Sequence, residues 1–425
     1  MTIYINLPAT GFVSIPDKFK KILDLKEVQR LRRIKQLSGV EYVFPGATHT
    51  RFEHSVGVFT NVQKMLSIFL ENNNDLSENI IDSALLAGLL HDIGHGPFSH
   101  NFEDILQTNI KKSHEDFTKE IILKSEVGDF IEDLGIKKED VANLAVGKLN
   151  KKELRFLDQM ISGAIDCDQM DYLVRDAYHC GTNSYYETVE RIFQIANIYE
   201  NSKFEKILAY HIKGIATIET FLFSRLNAFR TIYFHKTSRA IQLMLKEAMM
   251  RYNDTYKSFN FNLFEEYLKW DDFKLYNALK NDESTSNIID RIERRDLIKL
   301  AYEKPPELNK TEEELKHYNP NKLKEEIANK AKINVEKIFI DFPKTKSVPY
   351  QTSSKLMNDE IYVYSKTSNN EIELKNIENC SLFLPQIQGF FRLIRIYTEK
   401  EYINQVANAA KKILIGVTLD DFMSI

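Results

Sequence analysis

Six of the ten histidines in this chain (His49, His54, His91, His95, His100 and His114) crowd into one early stretch. Imidazole is the commonest metal ligand and the usual proton-transfer group near neutral pH, so this crowding points to chemistry. The most informative pair is His91-Asp92, at the end of the apolar run ALLAGLLHDIGHGPFSH. His54 in HTRFEH and Asp168 in IDCDQMDYLVRD could complete a set of two imidazoles and two carboxylates. Such donors suit Zn²⁺, Fe²⁺ or Mn²⁺ and leave room for water, as a hydrolytic centre requires. Taken singly, each residue has a plainer reading. An HD dipeptide is usually a surface histidine beside a cap, and His95 and His100 could simply satisfy carbonyls in a glycine-rich turn. Asp168 among Asp166, Asp171 and Asp176 reads by default as a solvated acidic face. The combination outweighs its members.

Elements must bring these residues together from distant parts of the chain. Adjacent helix positions point about 100° apart, so His91 and Asp92 can converge on one ion only beside a helix end. Gly94, Gly96 and Pro97 would stop the helix there. Apolar spacing predicts helical structure over 17–38, 55–71 and 78–92. No proline falls between Pro97 and Pro305, and the glycine-free stretch 215–252 predicts a long buried helix. Polar, proline-bearing 303–322 is expected to be a linker or surface excursion. The β-rich runs KIFIDF, EIYVYSK and FFRLIRIYT alternate with the helical runs KLKEEIANKAK and EYINQVANAAKKIL. The expected fold class is therefore mainly α, with a helical core over 1–255, a helical extension and linker over 256–330, and a smaller α+β region over 331–425.

Composition narrows the alternatives. With 425 residues the chain can bury more than one core. Its 57 basic and 61 acidic side chains nearly balance, which argues against a global field for nucleic acid or membrane. Cys167, Cys180 and Cys380 lack metal or disulfide spacing and fit a reducing, cytoplasmic setting. The opening MTIYINLPATGF does not resemble a signal peptide, and no apolar run nears the ~18 residues of a membrane span.

The ordered strings HTRFEHSVGV, HDIGHGPFSHNFE, His114-Glu115 and IDCDQMDYLVRD resemble the HD-domain superfamily. Within it the chain is similar to the deoxynucleoside triphosphate triphosphohydrolases, especially the sterile-alpha-motif/HD-domain dNTPase and its microbial relatives. The resemblance runs from about Asn6 to near Lys299, and no sterile-alpha-motif domain is expected ahead of it. It implies hydrolysis of dNTPs to deoxynucleoside and inorganic triphosphate at a metal held by His54, His91, Asp92 and Asp168. Fe, Mn, Zn or Ni would suit that site, with Mg²⁺ accompanying the triphosphate. Beside it the family's acid–base and phosphate-contacting groups match His95, His100, Glu103 and His114. A water activated by the cation would attack the α-phosphorus, and an imidazolium held by a carboxylate would protonate the departing 5′-oxygen. His100 on Glu103 is the expected acid, with His95 and His114 on phosphate; Glu103 replaces an aspartate of the relative.

The resemblance also assigns the substrate. Arg51 and Arg225 match phosphate-binding arginines, and Tyr233, His235 and Lys236 follow in the same segment as Arg225. Asp168, Tyr172 and Asp176 share a helix face at i, i+4 and i+8, and the last two would meet the sugar. Gln36 and Leu37 match base- and sugar-edge residues, and Leu37 with Tyr172 would exclude a 2′-hydroxyl. Otherwise Tyr172 and Tyr233 are ordinary core aromatics and Arg51 a partner for Glu53, whereas Arg225 on an apolar helix needs a partner in any case.

A regulatory site is implied as well, in a homotetramer or dimer of dimers that binds GTP, dGTP or another dNTP between subunits. Asp24, Gln29 and Arg32 match its guanine-reading set, and Asn6, Lys213, Arg295 and Lys299 match further nucleotide contacts. Ile3 and His211 stand where the relative has cations, which weakens that binding; a charged face of an amphipathic helix is the plainer reading of 24–35. The alternatives are another HD phosphohydrolase (a 5′-nucleotidase or phosphodiesterase), a nucleic-acid-binding or nuclease HD protein, and a catalytically silent regulator. Three candidate cations (Arg51, Arg225 and Lys236) favour a triphosphate over a monophosphate. The balanced charge speaks against nucleic acid.

Overall fold

A computed structural model describes residues 2–183, 185–261, 263–309, 319–346, 360–386 and 390–414 of the chain. The fold is mainly helical, with a smaller α+β part towards the C-terminus, as the sequence pattern predicts. Three helices carry the metal-ligand candidates. Arg51–Glu71 is buried along most of its length and packs against both Glu78–Leu90 and Cys167–Cys180. Glu78–Leu90 has no charged residue after Asp82, so its second half is buried in the core. Asp166 caps the third helix by accepting from Gln169 N at 2.7 Å, which satisfies an orphan donor of the first turn.

Close approach of the first and third helices depends on Gly57. A Cβ built there would stand 1.9 Å from Asp171 Oδ1 and 2.3 Å from Arg175 Nη2. Only a glycine lets the Asp171–Arg175 ion pair lie directly on the neighbouring helix backbone.

Residues 91–99 form the turn that stops the second helix. Its backbone closes through Ile93 N to Leu90 O, His95 N to Asp92 O and Ser99 N to Gly96 O, at 3.0–3.1 Å. Gly94 rests against the start of the His114–Lys124 helix, where a Cβ would be 2.2 Å from His114 O. Phe98 and Ser99 adopt φ of 54° and 52°, sparsely populated for residues with side chains. The turn is held by Phe98 N donating to Asp272 Oδ1 (2.8 Å) and Ser99 Oγ donating to Lys35 O (3.0 Å).

Among the described residues the strands form three small sheets. Strands β1 (Thr2–Leu7) and β2 (Gly11–Pro16) make an antiparallel hairpin. Next come β3 (Ala196–Glu200), β4 (Lys206–His211), β5 (Lys299–Asn309), β6 (Ile338–Asp341) and β7 (Lys344–Lys346). The last are β8 (Tyr362–Lys366), β9 (Ile372–Asn376) and β10 (Phe390–Thr398). One sheet has the order β3-β4-β8-β9; the other is β5-β10-β6 with β7 also on β10. Parallel pairing of β4 with β8 joins the helical half to the tail, across the boundaries read at 255 and 330. The tail also has its own cluster, with Ile327, Ile338, Ile396, Val406 and Ala410 buried between the sheet and two helices. No helix among the described residues is long and apolar enough to cross a membrane.

Three expectations need correction. Residues 17–38 form short turns, Lys20–Asp24, Lys26–Gln29 and Arg30–Arg33, instead of continuous helix. Leu25 is extended, and fully buried Arg30 donates to Trp270 O and His95 O, so tertiary bonds override helical spacing. The 215–252 helix is interrupted: Ile215–Ala228 runs into a π-turn, Phe229–Tyr233, and a new helix, Lys236–Tyr256, starts at a His235 cap. Residues 303–309 of the expected linker are strand, paired with β10; 310–318 lie outside the described residues.

Gly57→Ala should lower stability by at least about 1–3 kcal/mol, the usual range for overpacking. Calorimetry would show this as a lower Tm, and an unchanged Tm would mean that the two helices part without strain.

Candidate metal centre

His54, His91 and Asp168 offer donor atoms that all lie within 4.8 Å of one another. His54 Nε2 is 2.9 Å from Asp168 Oδ1, and His91 Nε2 is 3.7 Å from the same oxygen. Asp92 adds its carboxylate at 3.7 Å from His54 Nε2 and 3.4 Å from His91 Nε2. One Asp92 oxygen is already engaged by Arg51 Nη1.

The outer nitrogen of each imidazole is tied down. His54 Nδ1 pairs with Asp171 Oδ2 at 2.8 Å, and His91 Nδ1 with Gly88 O at 2.9 Å. A neutral ring then donates from Nδ1 and turns the lone pair of Nε2 inward. Both Nε2 atoms are buried without an aligned hydrogen bond; the 2.9 Å approach of His54 to Asp168 lacks that alignment. Two orphaned ring nitrogens facing carboxylate oxygens fit a divalent cation. In the protein alone, burial disfavours a charged His54, but Asp168 and Asp171 outweigh it and raise the pKa to about 10. A proton and a cation thus compete for one place, so metal binding would release protons.

Next to this group Glu103 joins two histidines. Its Oε2 lies 3.1 Å from His100 Nδ1, and its Oε1 lies 2.6 Å from His114 Nδ1 and 3.2 Å from His114 N. The sequence reading anticipates the His100 contact and misses the closer one to His114. Burial would raise the Glu103 carboxyl, yet the two imidazoles hold it well below the usual range. His100 is exposed, whereas the His114 ring stacks on His95 with centroids 4.0 Å apart. His95 Nε2 is 3.3 Å from Asp92 Oδ1. Burial, with Arg51 and His114 nearby, pushes the His95 pKa well down, so this ring is neutral.

These groups open on a cavity of about 590 Å³. Gln36, Leu37, Arg51, Tyr172, Asp176 and Tyr233, all read from sequence as substrate contacts, line it. Tyr233 OH donates to Asp176 Oδ2 at 2.7 Å, and His49 Nε2 meets Asp176 Oδ1 at 2.7 Å. Arg51 is not a surface partner of Glu53; it is buried and bonds Ser99 Oγ at 2.9 Å. Arg225 lies beside half-buried Tyr172 and over the Phe229 ring, just outside the lining. His235 serves as a helix cap, and Lys236 lines a different cavity together with Lys299.

The residues matched to a regulatory site lie apart in one chain. Arg32 Nε donates to Gln29 Oε1 at 2.9 Å and stacks on Phe52, while Asp24 and Lys213 are exposed and Asn6 lies on β1. Arg295 Nη1 reaches Tyr42 O at 2.6 Å. Among the described residues no hydrogen bond or ion pair joins the Gln29–Arg32 pair to Arg295 or Lys299.

Several site residues escaped the sequence reading: Asp171, Arg175, His49, Arg239 and Gln242. Asp171 had a readable signal, because it follows Asp168 by three positions and precedes Arg175 by four on one helix. Arg239 and Gln242 pair with each other at i, i+3, but nothing in the sequence marks them for the cavity, since Asp341 and Ser38, which fix them there, come from distant segments.

Comparison with known proteins agrees with this geometry. The HD domain family matches residues 51–176, and the HD associated region matches residues 193–420. The chain is 34% identical over 247 residues to the uncharacterized protein YwfO of Bacillus subtilis, covering 57% of this chain and 54% of that one. It is 26% identical to the deoxynucleoside triphosphate triphosphohydrolase SAMHD1 of Bos taurus, over 98% of this chain and 78% of that protein. The chain therefore spans about half of the bacterial relative and more of the bovine one. Among solved structures, a hypothetical protein from Aquifex aeolicus superposes with a TM-score of 0.77 at 27% identity, over 97% of this chain and all of that one. A phosphohydrolase from Bacteroides thetaiotaomicron gives 0.72 at 25%, over 94% of this chain and 100% of its own.

Asp171→Ala should weaken metal retention by about 10–100-fold, the usual effect of removing an outer-shell partner of a ligating histidine. Metal analysis after dialysis against graded chelator would read it; unchanged affinity would mean that Asp171 does not orient His54.

Proposed function

The chain belongs to the HD associated region family and carries an HD domain ahead of that region, and we propose that it is a phosphohydrolase that converts dNTPs to deoxynucleoside and inorganic triphosphate. One observation carries the reading. Two imidazoles with tied outer nitrogens and orphaned inner ones face carboxylates at one end of a cavity of nucleotide size. Relatives that bear this activity in their names support it at 26–27% identity.

In this reading His54, His91, Asp92 and Asp168 hold Fe, Mn, Zn or Ni, and Mg²⁺ travels with the triphosphate. When bound, the cation supplies positive charge to the α-phosphate and lowers the pKa of water there. Arg51 neutralises phosphate charge while fixing Asp92 and the 91–99 turn. Neutral His95 contributes one hydrogen bond. The proton for the leaving 5′-oxygen comes from the Glu103-linked pair, with His100 at the mouth and His114 held more tightly. Tyr172, Tyr233 and Asp176 bind the sugar, and Leu37 with Tyr172 leaves no space for a 2′-hydroxyl. Arg225 acts behind Tyr172.

We extend the reading to an oligomer, a tetramer or dimer of dimers, that binds GTP, dGTP or another dNTP between subunits. Its support is the exposed or half-exposed set Asp24, Gln29, Lys213, Arg295 and Lys299, together with the resemblance of these positions to the family's regulatory residues. Another HD phosphohydrolase activity is the second reading, supported by the HD domain match and the same ligand candidates.

Chromatography of products from each dNTP, alone and paired with GTP or dGTP, is the deciding assay. Intact triphosphate is the expected product, and monophosphate or orthophosphate would move the chain to the second reading. His91→Ala with Asp92→Ala should abolish both bound metal and turnover; activity surviving in that protein would reject the ligand assignment. Asp24→Ala should alter nucleotide-induced assembly in sedimentation while leaving metal content intact. An unaltered profile would remove Asp24 from the regulatory reading.

A further inference from the structure

The metal end and sugar wall of the cavity leave one region without a role. There Phe229 and Phe234 supply apolar surface beside Leu37 of the sugar wall, while Arg239, Gln242 and Ser38 supply polar groups. Flat apolar surface with hydrogen-bonding groups beside it suits a heteroaromatic base, the one part of a nucleotide that needs both.

Arg239 is held from several sides. Its Nε donates to Asp341 Oδ2 at 3.0 Å and its Nη2 to Asp341 Oδ1 at 2.5 Å, while Nη1 donates to Gln242 Oε1 at 2.8 Å. Gln242 is fixed in turn, because its Nε2 donates to Ser38 O at 2.8 Å, next to Leu37. Asp341 is only 2% exposed, so the ion pair is locked at the end of β6.

A guanidinium has five N–H bonds, of which these contacts use three, leaving two for a ligand. Its charge is already balanced by Asp341, which makes it a poor clamp for phosphate. A fixed, charge-balanced pair of donors instead matches a neutral pair of adjacent acceptors.

Resting on the dNTP reading above, we propose that Arg239, positioned by Asp341 and Gln242, reads the base edge of the substrate. It would select bases that place a carbonyl beside an unprotonated ring nitrogen. Guanine offers O6 and N7 and cytosine offers O2 and N3; adenine lacks the carbonyl, and the carbonyls of thymine flank an N–H.

The test is an equimolar mixture of the four dNTPs given to the wild-type protein, in which any activating nucleotide is common to all. Relative initial rates of consumption then give the ratios of kcat/KM. dGTP and dCTP should be consumed at least about fivefold faster than dATP and dTTP, as a bidentate arginine contact allows. Arg239→Ala should level the four rates. Because that change leaves Asp341 buried and unpaired, Arg239→Ala with Asp341→Ala is the second variant, and it should level them too. Equal rates in the wild type, or an unchanged ranking in a folded variant, would overturn the role of Arg239 while leaving dNTP hydrolysis standing. Absence of deoxynucleoside and triphosphate from the wild-type reaction would instead overturn the reading on which it rests.

Discussion

The bond between His54 Nδ1 and Asp171 Oδ2 is the constraint on which the rest of the site depends. It fixes which ring nitrogen faces the cavity, and so whether His54 can be a ligand at all. Asp171 can serve because Arg175, fully buried, grips both of its oxygens at 2.7–2.8 Å and reaches Glu53 at 2.6 Å. Glu53 also meets His179, whose ring stacks on His49 with centroids 4.3 Å apart. His49 in turn binds Asp176. One buried network therefore runs from behind the metal ligands to the carboxylate expected at the sugar. Such networks are strongly destabilised when one member is removed, because the remaining charge is left buried and alone. That cost keeps the two helices in one register, with Gly57 giving the network its space.

The turn at 91–99 shows the complementary principle, in which local strain is held by distant groups. Two residues with side chains sit at positive φ, and the bonds that hold them come from Asp272 and Lys35. Asp272 accepts backbone N–H groups from Phe98 and Lys35 at 2.8 and 2.9 Å, and thereby links the turn to the segment that carries Gln36 and Leu37. Burial raises its pKa to about 6, against the opposing pull of those two donors. A carboxylate kept in so dry a place acts as a structural clasp between the 91–99 turn and the segment that carries Gln36 and Leu37. The placement of Arg51 follows from the same clasp, since Ser99 Oγ is its partner.

Much of this was legible in sequence because ligand chemistry is concentrated in residue type and spacing. The imidazoles and carboxylates of 49–114 and 166–176 announce a centre, and the apolar helices that bring them together follow from periodicity. What periodicity could not show is where long-range bonds overrule it. Residues 17–33 have helical spacing, yet Arg30 reaches His95 O and Trp270 O and breaks the run into turns. The 215–252 stretch lacks proline and glycine, yet it turns at 229–235 because Phe234 and its neighbours are bonded from the C-terminal sheet. Glu103 was readable as a partner for His100 at i+3, but its closer partner His114 lies across a helix boundary. Proline in 303–309 suggested a linker; pairing with β10 makes it a strand, a matter of partner and not of composition.

The C-terminal region therefore does more than extend the helical core. Arg395 of β10 donates to Phe234 O and pairs with Glu303, Tyr397 OH donates to Lys236 O at 3.0 Å, and Asp341 of β6 grips Arg239. All three contacts fall on the junction that runs from the end of the π-turn into the first turns of the next helix, and that junction carries Tyr233, Phe234, Arg239 and Gln242 to the cavity. A π-turn changes the hydrogen-bond register of the helix, with Phe234 N bonded to Phe229 O at 2.8 Å, and contacts from outside fix the course that follows. The sheet supplies that external support through one ion pair and two donors, Arg395 Nη1 and Tyr397 OH, to carbonyl oxygens of the segment. The metal-ligand candidates belong wholly to residues 54–168, but the opposite wall of the cavity takes its shape from residues beyond 300. The metal-ligand candidates and the opposite cavity wall are thus built from different parts of the chain, joined by a turn that neither part would hold alone.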